Sequence, residues 1–361
     1  MSEIHKKYLL KAHSLAYKNF GKTFPNPSVG CLIVKNNKII SKAVTAPAGR
    51  PHAEEIALKK AGSKSYGGTM YVTLEPCYHK SHYGSCTDQI IKSYIKKIFI
   101  ARVDPDPRTN NKSIKKLEKN NIYTNVGMTE EKTNLLNKFF FDSLKNNRPY
   151  VKVKMAISND EKIAYSDYSS KWISNSKSRI YAHKLRYQSQ AILTTAKTII
   201  KDNPRFTVRS NNLIIKHLPI IIIDNSLKIP LKSKILKNIS KKRIIIFTSR
   251  NNKKLKTLKK LGCEVYLMKR NVSNKLNLKT IMKKILSINI NNILVEAGGI
   301  FFTELLSKKL VDELHVFKAS FNIGELGKPV IIGKKIDNLK FQEITKKNFG
   351  KDVYHHFSLK N

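Results

Sequence analysis

The sequence predicts two successive α/β domains. The first observation is length, because 361 residues suffice for two domains of ordinary size. The second is the alternation of strand-like apolar runs with helix-like segments along both halves of the chain. The third is a break near residue 146, where the polar, proline-containing segment NNRPY interrupts this alternation. We therefore expect one domain over residues 1–146 and a second over residues 147–361.

The elements of the first domain follow from periodicity and from turn residues. Residues 3–19 place apolar side chains near one helical face, and the polar turn Lys35-Asn36-Asn37 joins two predicted strands, 29–34 and 38–44. The next predicted elements are the helix AEEIALKKAG, the buried strand TMYVTL, the helix CTDQIIKSYI and the strand KKIFIARV. A loop over residues 104–111 precedes a further helix and strand.

The second domain begins with VKVKMAIS, which alternates with the period of a half-exposed strand. Further strand candidates are QAILTT, PIIIID, RIIIFT, CEVYLM, NILVEA and DELHVF. Most of them are separated by lysine-rich helical stretches. This order predicts a second α/β sheet that is largely parallel.

Composition excludes several classes of protein. Hydrophobic residues make up 41% and charged residues 26% of the chain, which is typical of a folded globular protein. No apolar run approaches the ~20 residues of a membrane helix, and the first residues lack the apolar stretch of a secretory signal. Four cysteines are too few for a disulfide scaffold. We expect a cytoplasmic protein.

The charge is strongly basic. Lys and Arg number 69 against 25 Asp and Glu, a formal net charge of +44. Residues 1–146 carry 25 basic and 11 acidic groups, and the remainder carries 44 and 14, so both halves share the excess. A dedicated nucleic-acid binder usually concentrates its charge in one footprint. The even spread therefore favours a compositional bias, and we do not expect nucleic acid as the partner.

The most specific local pattern combines one histidine, two cysteines and a glutamate. His52-Ala53-Glu54 opens a predicted helix, Cys77 follows a predicted strand, and Cys86 comes nine positions later. One imidazole and two thiolates can hold three corners of a tetrahedral zinc site, leaving the fourth for a water whose pKa falls to about 7. Glu54 could then carry protons to a departing amine without binding the metal. This combination predicts hydrolytic deamination.

Alternatives exist for each member of this pattern. His52 could cap a helix or lie on the surface, and Glu54 could be a first-turn acid favoured by the helix dipole. A closed structural zinc site could use Cys77, His79, His82 and Cys86 instead. That arrangement is disfavoured because a single residue separates Cys77 from His79, and because it leaves His52 and Glu54 without a role.

The motifs around these residues resemble a known family. PNPSVGCLIV at 25–34, PHAE at 51–54, VTLEPC at 72–77 and the eight-residue gap before Cys86 resemble the zinc-dependent cytidine-deaminase superfamily. Within it, they are similar to the bifunctional deaminase/reductases of riboflavin biosynthesis. The resemblance implies a cytidine-deaminase-like α/β/α domain in which His52, Cys77 and Cys86 hold Zn²⁺ and Glu54 donates protons.

The second half resembles the reductase part of the same enzymes. The matching segments are PYVKVKMAIS (149–158), SKWIS (170–174), LRYQSQAILTT (185–195), DNPRFTVR (202–209) and ILVEAGG (293–299). The resemblance implies a dihydrofolate-reductase-like α/β domain that uses NADPH. Taken alone, VEAGG before a helix is a weak indication of a pyrophosphate site, because such a Gly-Gly pair is more often only a turn.

The resemblance also implies binding residues. The implied NADPH contacts are Ala156, Trp172, Thr198, Asp202, Asn225, Gly298, Gly299, Ile300, Phe301, Phe302, Thr303 and Glu304. The implied contacts to the phosphoribosyl substrate are Ser170, Arg186, Phe206, Arg209 and Glu296. Two of these, Arg186 and Arg209, could pair with a phosphate. Core packing is the alternative for Trp172 and Phe206, and helix capping is the alternative for Thr198 and Asp202.

Several loops depart from the family's pattern. Val44-Thr45 replaces a histidine-containing segment, residues 81–85 replace a proline-rich run, residues 110–113 replace a glycine-rich stretch, and Asp160-Glu161 replaces an aspartate-glycine turn.

Three functional hypotheses follow. The leading one is a two-step enzyme that deaminates a phosphoribosylaminopyrimidine and then reduces its ribosyl group with NADPH. The second is an enzyme in which only one half is active, because of the altered loops. The third is a zinc-stabilised RNA-binding protein that uses the +44 charge. We also expect a small-molecule substrate and a homo-oligomer. We do not expect a membrane as a partner.

Overall fold

The chain divides into two compact units, Met1–Asn146 and Asn147–Asn361. The structure is a computed structural model that describes residues 2–79, 84–167, 173–211, 213–272, 274–332 and 340–360. Within these ranges, none of the helices combines the length and the apolar character that crossing a membrane requires.

The first unit is built on one mixed sheet. Its strands are β1 (Gly30–Lys35), β2 (Lys38–Val44), β3 (Thr69–Val72), β4 (Lys97–Ile100) and β5 (Tyr123–Val126). Its helices are α1 (Ser2–Lys18), α2 (Ala53–Ala61), α3 (Cys86–Lys92), α4 (Lys112–Lys119), α5 (Glu130–Leu136) and α6 (Lys138–Asn146). The strand order is β2-β1-β3-β4-β5, with β1 antiparallel to both neighbours and β3, β4 and β5 parallel.

Helices cover both faces of this sheet because its central strands are apolar on both sides. In β1, Cys31 and Ile33 pack towards α2, whereas Leu32 and Val34 pack towards α1. A Cβ added at Gly30 would lie 2.0 Å from the Ala12 carbonyl oxygen, so only glycine allows α1 this close approach. The parallel strands β3 and β4 consequently direct their carboxyl ends to one edge of the sheet, where α2 and α3 begin.

The second unit contains a larger sheet. Its strands are β6 (Tyr150–Ile157), β7 (Lys162–Ala164), β8 (Ala191–Thr195), β9 (Thr207–Ser210), β10 (Leu213–His217), β11 (Ile220–Ile223), β12 (Ile244–Thr248), β13 (Glu264–Leu267), β14 (Asn292–Val295), β15 (Glu313–Lys318), β16 (Lys328–Pro329), β17 (Lys340–Phe349) and β18 (Asp352–Lys360). Its helices are α7 (Ser176–Tyr187), α8 (Ala196–Asp202), α9 (Lys253–Lys260), α10 (Leu278–Ser287) and α11 (Gly299–Ser307).

The large sheet has the order β13-β12-β11-β8-β14-β6-β15-β18-β17. The strands from β13 to β15 are parallel, and β18 and β17 continue the sheet in antiparallel pairing. Apolar side chains fill both faces, with α10 and α11 packed on one side. The largely parallel sheet expected from the sequence is confirmed, and its carboxyl edge is the place where this fold class binds ligands.

Two features of the second unit differ from the alternation of strands and lysine-rich helices that the sequence predicts. Short 3₁₀ turns at Lys234–Leu236 and Ile239–Lys241 stand between β11 and β12, where no α-helix forms. Two hairpins, β9–β10 and β17–β18, are also absent from the sequence-based expectation. The reason is visible in β17, whose residues are almost all exposed and frequently Lys, so the strand lacks apolar alternation.

A buried ion pair ties the first strand of the second unit to β15. Both Asp312 carboxylate oxygens accept hydrogen bonds of 2.7 Å from the Arg148 guanidinium, and Oδ2 also accepts one from the Val151 backbone N–H. The two side chains are only 12% and 6% exposed. Removing one partner of such a pair leaves the other charge buried without compensation.

We therefore expect Asp312→Ala to lower the free energy of unfolding of the second unit by about 3 kcal/mol, measured by chemical denaturation. The matched control is Glu264→Ala, which breaks the Arg243–Glu264 pair, where both side chains are more than one-third exposed. That control should cost less than about 1 kcal/mol because solvent screens the pair. Equal effects of the two substitutions would contradict an anchoring role for Asp312.

Candidate active sites of the two units

The edge of the first sheet brings His52, Cys77 and Cys86 together. His52 is the N-cap residue of α2, Cys77 lies in the loop after β3, and Cys86 is the first residue of α3. One nitrogen and two sulfurs from these residues all lie within 4.8 Å of one another. The His52 Nδ1 atom is 3.4 Å from the Cys86 Sγ atom. Residues separated by up to 34 positions thus form one cluster.

Local hydrogen bonds hold the two cysteines in place. The Ser85 hydroxyl caps α3 by accepting from the Asp88 N–H, and the Thr87 hydroxyl donates to the Cys77 carbonyl oxygen. The Cys86 N–H points at the Cys77 Sγ atom at 3.4 Å. A hydrogen bond from Cys86, together with the nearby His52, lowers the pKa of the Cys77 thiol well below its usual value. Cys77 is therefore prepared to act as a thiolate ligand.

The donor set fits a catalytic zinc ion. One imidazole and two sulfurs supply three ligands, the number that leaves a position open for water. The closed alternative required His79, but its Nδ1 atom is instead 3.5 Å from the Thr109 hydroxyl, and His79 is not in the cluster. His82, the other ligand of that alternative, lies outside the described residues. The geometry favours the open site.

Glu54 lies beside the cluster without joining it. Its side chain is on the first turn of α2 and is only 3% exposed. It lines a cavity of about 110 Å³ together with His52 and Cys77. Burial raises the pKa of Glu54 to about 7. A carboxyl group with such a pKa can both accept and release a proton near neutral pH.

Val44-Thr45, the first departure from the family's pattern, forms a hydrogen bond within the protein. Thr45, which takes the place of the expected histidine-containing segment, is 1% exposed, and its hydroxyl oxygen accepts from the Val29 N–H. It also lines the same cavity, as does Asn26, whose side-chain amide donates to the Gly49 carbonyl oxygen. The chain therefore still contributes to the cavity wall at this departure, through Thr45. Three of the replaced residues at 81–85 lie outside the described residues.

Glu75 was not among the predicted site residues, although it adjoins them. One of its carboxylate oxygens accepts from the backbone N–H groups of Asp104 and Asn111, and the other accepts from the N–H and hydroxyl of Ser113. The carboxylate is thus the support on which the 104–113 loop rests. In the altered stretch 110–113, Asn111 adopts a left-handed conformation (φ 57°) that asparagine tolerates well. The position of Glu75 directly before Pro76-Cys77 was the only signal in the sequence.

We expect Glu75→Gln to lower the free energy of unfolding of the first unit by about 1–3 kcal/mol, because the amide NH₂ must face at least one N–H donor that loses its acceptor. Chemical denaturation measures the change. The control is Glu131→Gln on exposed α5, which should change stability by less than about 0.5 kcal/mol. A Glu75→Gln protein as stable as this control would show that the loop does not depend on the carboxylate.

In the second unit, a cavity of about 680 Å³ opens at the carboxyl ends of the parallel strands. Most of the residues implied by the family resemblance line it: Ala156, Arg186, Thr198, Asp202, Phe206, Arg209, Asn225, Glu296, Gly298, Gly299, Ile300, Phe301 and Glu304. Ser170 and Trp172 lie outside the described residues. Sequence reasoning did not name Lys154, Arg179 and His183, which line the same cavity. Lys154 lies in the quoted segment PYVKVKMAIS, but nothing there singled it out, and Arg179 and His183 lie outside the quoted segments.

Phe302 and Thr303 do not line this cavity. Phe302 is 4% exposed and packs in the hydrophobic core beneath α11. The Thr303 hydroxyl donates to the Gly299 carbonyl oxygen and accepts from the Ile332 N–H. The helical period explains the difference, because only one side of α11 can face the cavity while the other faces the sheet.

The charged centre of the cavity is an ion pair between Arg186 and Glu296. The Arg186 Nε and Nη2 atoms donate to the two oxygens of Glu296 at 2.6 and 3.0 Å, and Nη1 donates to the Thr207 carbonyl oxygen. The Lys154 Nζ atom is 3.8 Å from the same carboxylate. Burial would raise the pKa of Glu296, but Arg186 and Lys154 outweigh it and lower the pKa to about 2. Glu296 is therefore an anion throughout the physiological range.

This pairing changes the expected role of Arg186. Three of its five N–H groups already donate to protein oxygens. The Nε–Nη2 pair is therefore occupied by Glu296 and does not offer a bidentate contact to a phosphate. Phe206, with its ring centroid 5.8 Å from the guanidinium, adopts φ +49° and is 5% exposed. Arg209 is exposed at the cavity wall, and its backbone N–H donates to the His183 Nδ1 atom. Arg209 is thus the better placed of the two arginines for an anion.

Gly298 and Gly299 at the amino end of α11 differ in the space around their Cα atoms. A Cβ added at Gly299 would lie 2.6 Å from the Val330 carbonyl oxygen. A Cβ at Gly298, the N-cap residue, would meet no described atom within 4 Å. Gly299 is therefore required by the fold, whereas Gly298 leaves open space next to the helix N-terminus in the cavity wall.

Thr198 and Asn225, which were predicted to contact NADPH, also form hydrogen bonds within the protein. Thr198 is not the cap of α8; the cap is Thr195, whose hydroxyl accepts from the Thr198 N–H. Asn225 receives a hydrogen bond from the Ser249 hydroxyl and donates its amide N–H to the Asn274 carbonyl oxygen.

The Asp160-Glu161 turn forms without the family's glycine. Glu161 adopts the left-handed conformation with φ 60°. The Asp160 carboxylate holds the turn by accepting from the Ile323 and Gly324 N–H groups. The departure is accommodated at the cost of a backbone conformation that residues with a Cβ seldom adopt.

Comparison with known proteins agrees with both sites. Residues 2–102 match the cytidine and deoxycytidylate deaminase zinc-binding region, and residues 149–355 match the RibD C-terminal domain. The riboflavin biosynthesis protein RibD of Aquifex aeolicus is 39% identical, with 97% of each chain covered. Among solved structures, Acinetobacter baumannii RibD (form 1) superposes with a TM-score of 0.90 at 27% identity over 100% of both chains. The Thermotoga maritima diaminohydroxyphosphoribosylaminopyrimidine deaminase/5-amino-6-(5-phosphoribosylamino)uracil reductase gives 0.84 at 29% identity over 99% of both.

The fold and the two sites define a bifunctional enzyme in which a zinc-dependent deaminase is followed by a reductase. Its cofactors are zinc in the first half and NADPH in the second. The chain belongs to the RibD family of riboflavin biosynthesis.

Proposed function

We propose that both halves are active and act in sequence on one phosphoribosylaminopyrimidine. Residues 1–146 would hydrolyse the 2-amino group of 2,5-diamino-6-(5-phosphoribosylamino)pyrimidin-4(3H)-one, and residues 147–361 would reduce the ribosyl group of the product to ribityl. The observation that carries the proposal is the grouping of three metal-ligand atoms beside a buried carboxyl group. The name of the Thermotoga maritima relative supports the choice of substrate.

In the deaminase half, His52, Cys77 and Cys86 would hold zinc, which supplies a hydroxide nucleophile near neutral pH. Glu54 would accept the proton of the attacking water and deliver it to the leaving amine. The low exposure of Glu54 and its raised pKa support both transfers. Glu54 lines this cavity together with two of the candidate ligands, so its carboxyl group would exchange the proton directly with a substrate bound there.

In the reductase half, NADPH supplies the hydride, and the residues of this chain would bind and orient the reactants. Ala156, Thr198, Asp202, Asn225 and the cavity-lining residues at 298–301 and 304 would contact the cofactor. Phe206, Arg209 and the Arg186–Glu296 pair would contact the substrate. The basic side chains around the cavity support this arrangement because both ligands carry phosphates. We include Ser170 and Trp172 on the resemblance alone.

We expect Glu54→Gln to reduce ammonia release by at least about 10²-fold, because the amide cannot carry the proton. The same protein should still oxidise NADPH when it is given 5-amino-6-(5-phosphoribosylamino)uracil. Ammonia release and NADPH absorbance measure the two steps separately. Removal of zinc with a chelator should reproduce the Glu54→Gln pattern, and readdition of zinc should restore ammonia release to the wild-type protein only.

The outcomes separate the competing functions. Loss of both steps in Glu54→Gln would contradict two independent sites. Failure of the wild-type protein in one step alone would support an enzyme with one active half. Binding of RNA at low salt that weakens steeply with added salt, without ammonia release, would support the RNA-binding alternative.

A second prediction uses the two glycines of α11. Gly298→Ala should cost no more than about 1 kcal/mol of stability, since its Cβ enters open space and only an N-cap preference is lost. It should weaken NADPH binding about tenfold or more, because the methyl group occupies the space next to the helix N-terminus. Gly299→Ala should instead destabilise the second unit. Fluorescence titration with NADPH and chemical denaturation distinguish the two; unchanged NADPH affinity in Gly298→Ala would contradict the proposed contact.

A further inference from the structure

A second cluster of potential metal ligands lies in the large sheet of the second unit. Glu313 and His315 are on β15, two residues apart and therefore on the same face. His356 lies on β18 directly opposite His315 in the antiparallel register. This is the face opposite α10 and α11. The carboxylate and the two imidazoles are thus brought together by strand pairing across more than 40 residues of sequence.

The distances among the three side chains suit a metal ion. The Nε2 atoms of His315 and His356 lie 3.2 and 3.4 Å from the same carboxylate oxygen, Oε2 of Glu313. All three donor atoms fall within 4.8 Å of one another. In a tetrahedral zinc site with bonds of about 2.0–2.1 Å, neighbouring ligand atoms are about 3.3 Å apart. Both measured separations match such an edge.

Outer hydrogen bonds orient two of the donors. The Tyr354 hydroxyl lies 2.8 Å from the His315 Nδ1 atom, so Nδ1–H can donate to it and leave the Nε2 lone pair directed at the cluster. The Tyr150 hydroxyl donates to Oε1 of Glu313 at 2.7 Å, leaving Oε2 turned towards the histidines. Histidine ligands of metals are commonly fixed by a partner of this kind.

The hydrogen bonding of His356 is incomplete. Its Nε2 atom is buried, yet it has no hydrogen bond of acceptable geometry among the described residues. Its nearest charged neighbour is Oε2 of Glu313 at 3.4 Å, the same oxygen that His315 Nε2 approaches at 3.2 Å, so the two imidazoles share one carboxylate oxygen. A metal ion would satisfy the nitrogen of His356, the nitrogen of His315 and the oxygen of Glu313 at once. Buried polar atoms without partners are rare in folded proteins.

Two lysines on the neighbouring strand oppose a cation, but both are engaged elsewhere. Lys152 and Lys154 of β6 are in register with Glu313 and His315. The Lys152 Nζ atom donates to the Gln188 carbonyl oxygen at 2.9 Å. The Lys154 Nζ atom lies 3.8 Å from the Glu296 carboxylate, at the reductase cavity. Among the described residues, neither ammonium group lies within ion-pair distance of the Glu313 carboxylate.

We propose that Glu313, His315 and His356 form a second metal site, which binds a divalent ion such as Zn²⁺ and is distinct from the cysteine site. Two nitrogens and one carboxylate oxygen are ligands that zinc accepts, with water in the fourth position. Because the ligands come from β15 and β18, the ion would join the parallel part of the sheet to its antiparallel extension. The proposal does not depend on the catalytic function of either half.

The test is the zinc content of the full-length protein after removal of metal with a chelator, reloading with Zn²⁺ and gel filtration. Wild-type protein should retain two zinc ions per chain, and His356→Gln should retain one. The matched control is His355→Gln, the adjacent histidine, which pairs with Glu343 outside the cluster and should leave two. Glu313→Gln, nearly identical in shape, is the second variant should His356→Gln fail to fold.

Cobalt isolates the new site. In a Cys77→Ser/Cys86→Ser protein, Co²⁺ should produce visible d–d absorption without a thiolate charge-transfer band, and adding His356→Gln should abolish that absorption. Zinc should also raise the melting temperature of the double serine protein but not of the triple variant. A single zinc per wild-type chain, or a content unchanged by both His356→Gln and Glu313→Gln, would overturn the proposal.

Discussion

Both candidate active sites depend on one geometric constraint: neighbouring parallel strands end at the same edge of their sheet. In the first unit, the chain leaves β3 towards Cys77, and the helices that begin at this edge carry His52 and Cys86. In the second unit, β14 and β8 place Glu296 and Thr198 just beyond their ends, beside α11. The apolar strands pack in the core and stabilise the fold. The polar residues that follow them lie outside this packing and can bind ligands.

Near these edges, buried carboxylates hold neighbouring loops and strands in place through hydrogen bonds. Glu75 holds the loop that lines the cavity beside the candidate zinc ligands, and Asp312 bonds to the backbone at the start of β6. Glu296 serves both purposes, because its charge is neutralised by Arg186 while its backbone pairs with β8. Each of these carboxylates accepts hydrogen bonds at both of its oxygens, which is the condition under which a buried anion is tolerated.

The altered loops illustrate how far a family's site can vary. Thr45 replaces part of a histidine-containing segment, yet its hydroxyl bonds to Val29 and it lines the cavity. Glu161 takes the left-handed conformation that glycine would adopt more easily. In the described residues, these departures therefore alter side chains at the margin of each site and leave the ligand cluster and the Arg186–Glu296 pair intact.

The sequence alone predicted the fold class, most central strands and the three candidate zinc ligands that the structure brings together, since apolar periodicity and closely spaced motifs are local properties of the chain. It did not indicate the β17–β18 hairpin, whose exposed, lysine-rich strand has no apolar pattern. Tertiary structure decided that Phe302 and Thr303 face the core, that Arg186 is engaged by Glu296, and that Glu313 meets His315 and His356. Such pairings depend on which strands become neighbours and on which side of a helix faces the sheet, and residues distant in sequence carry no local sign of either.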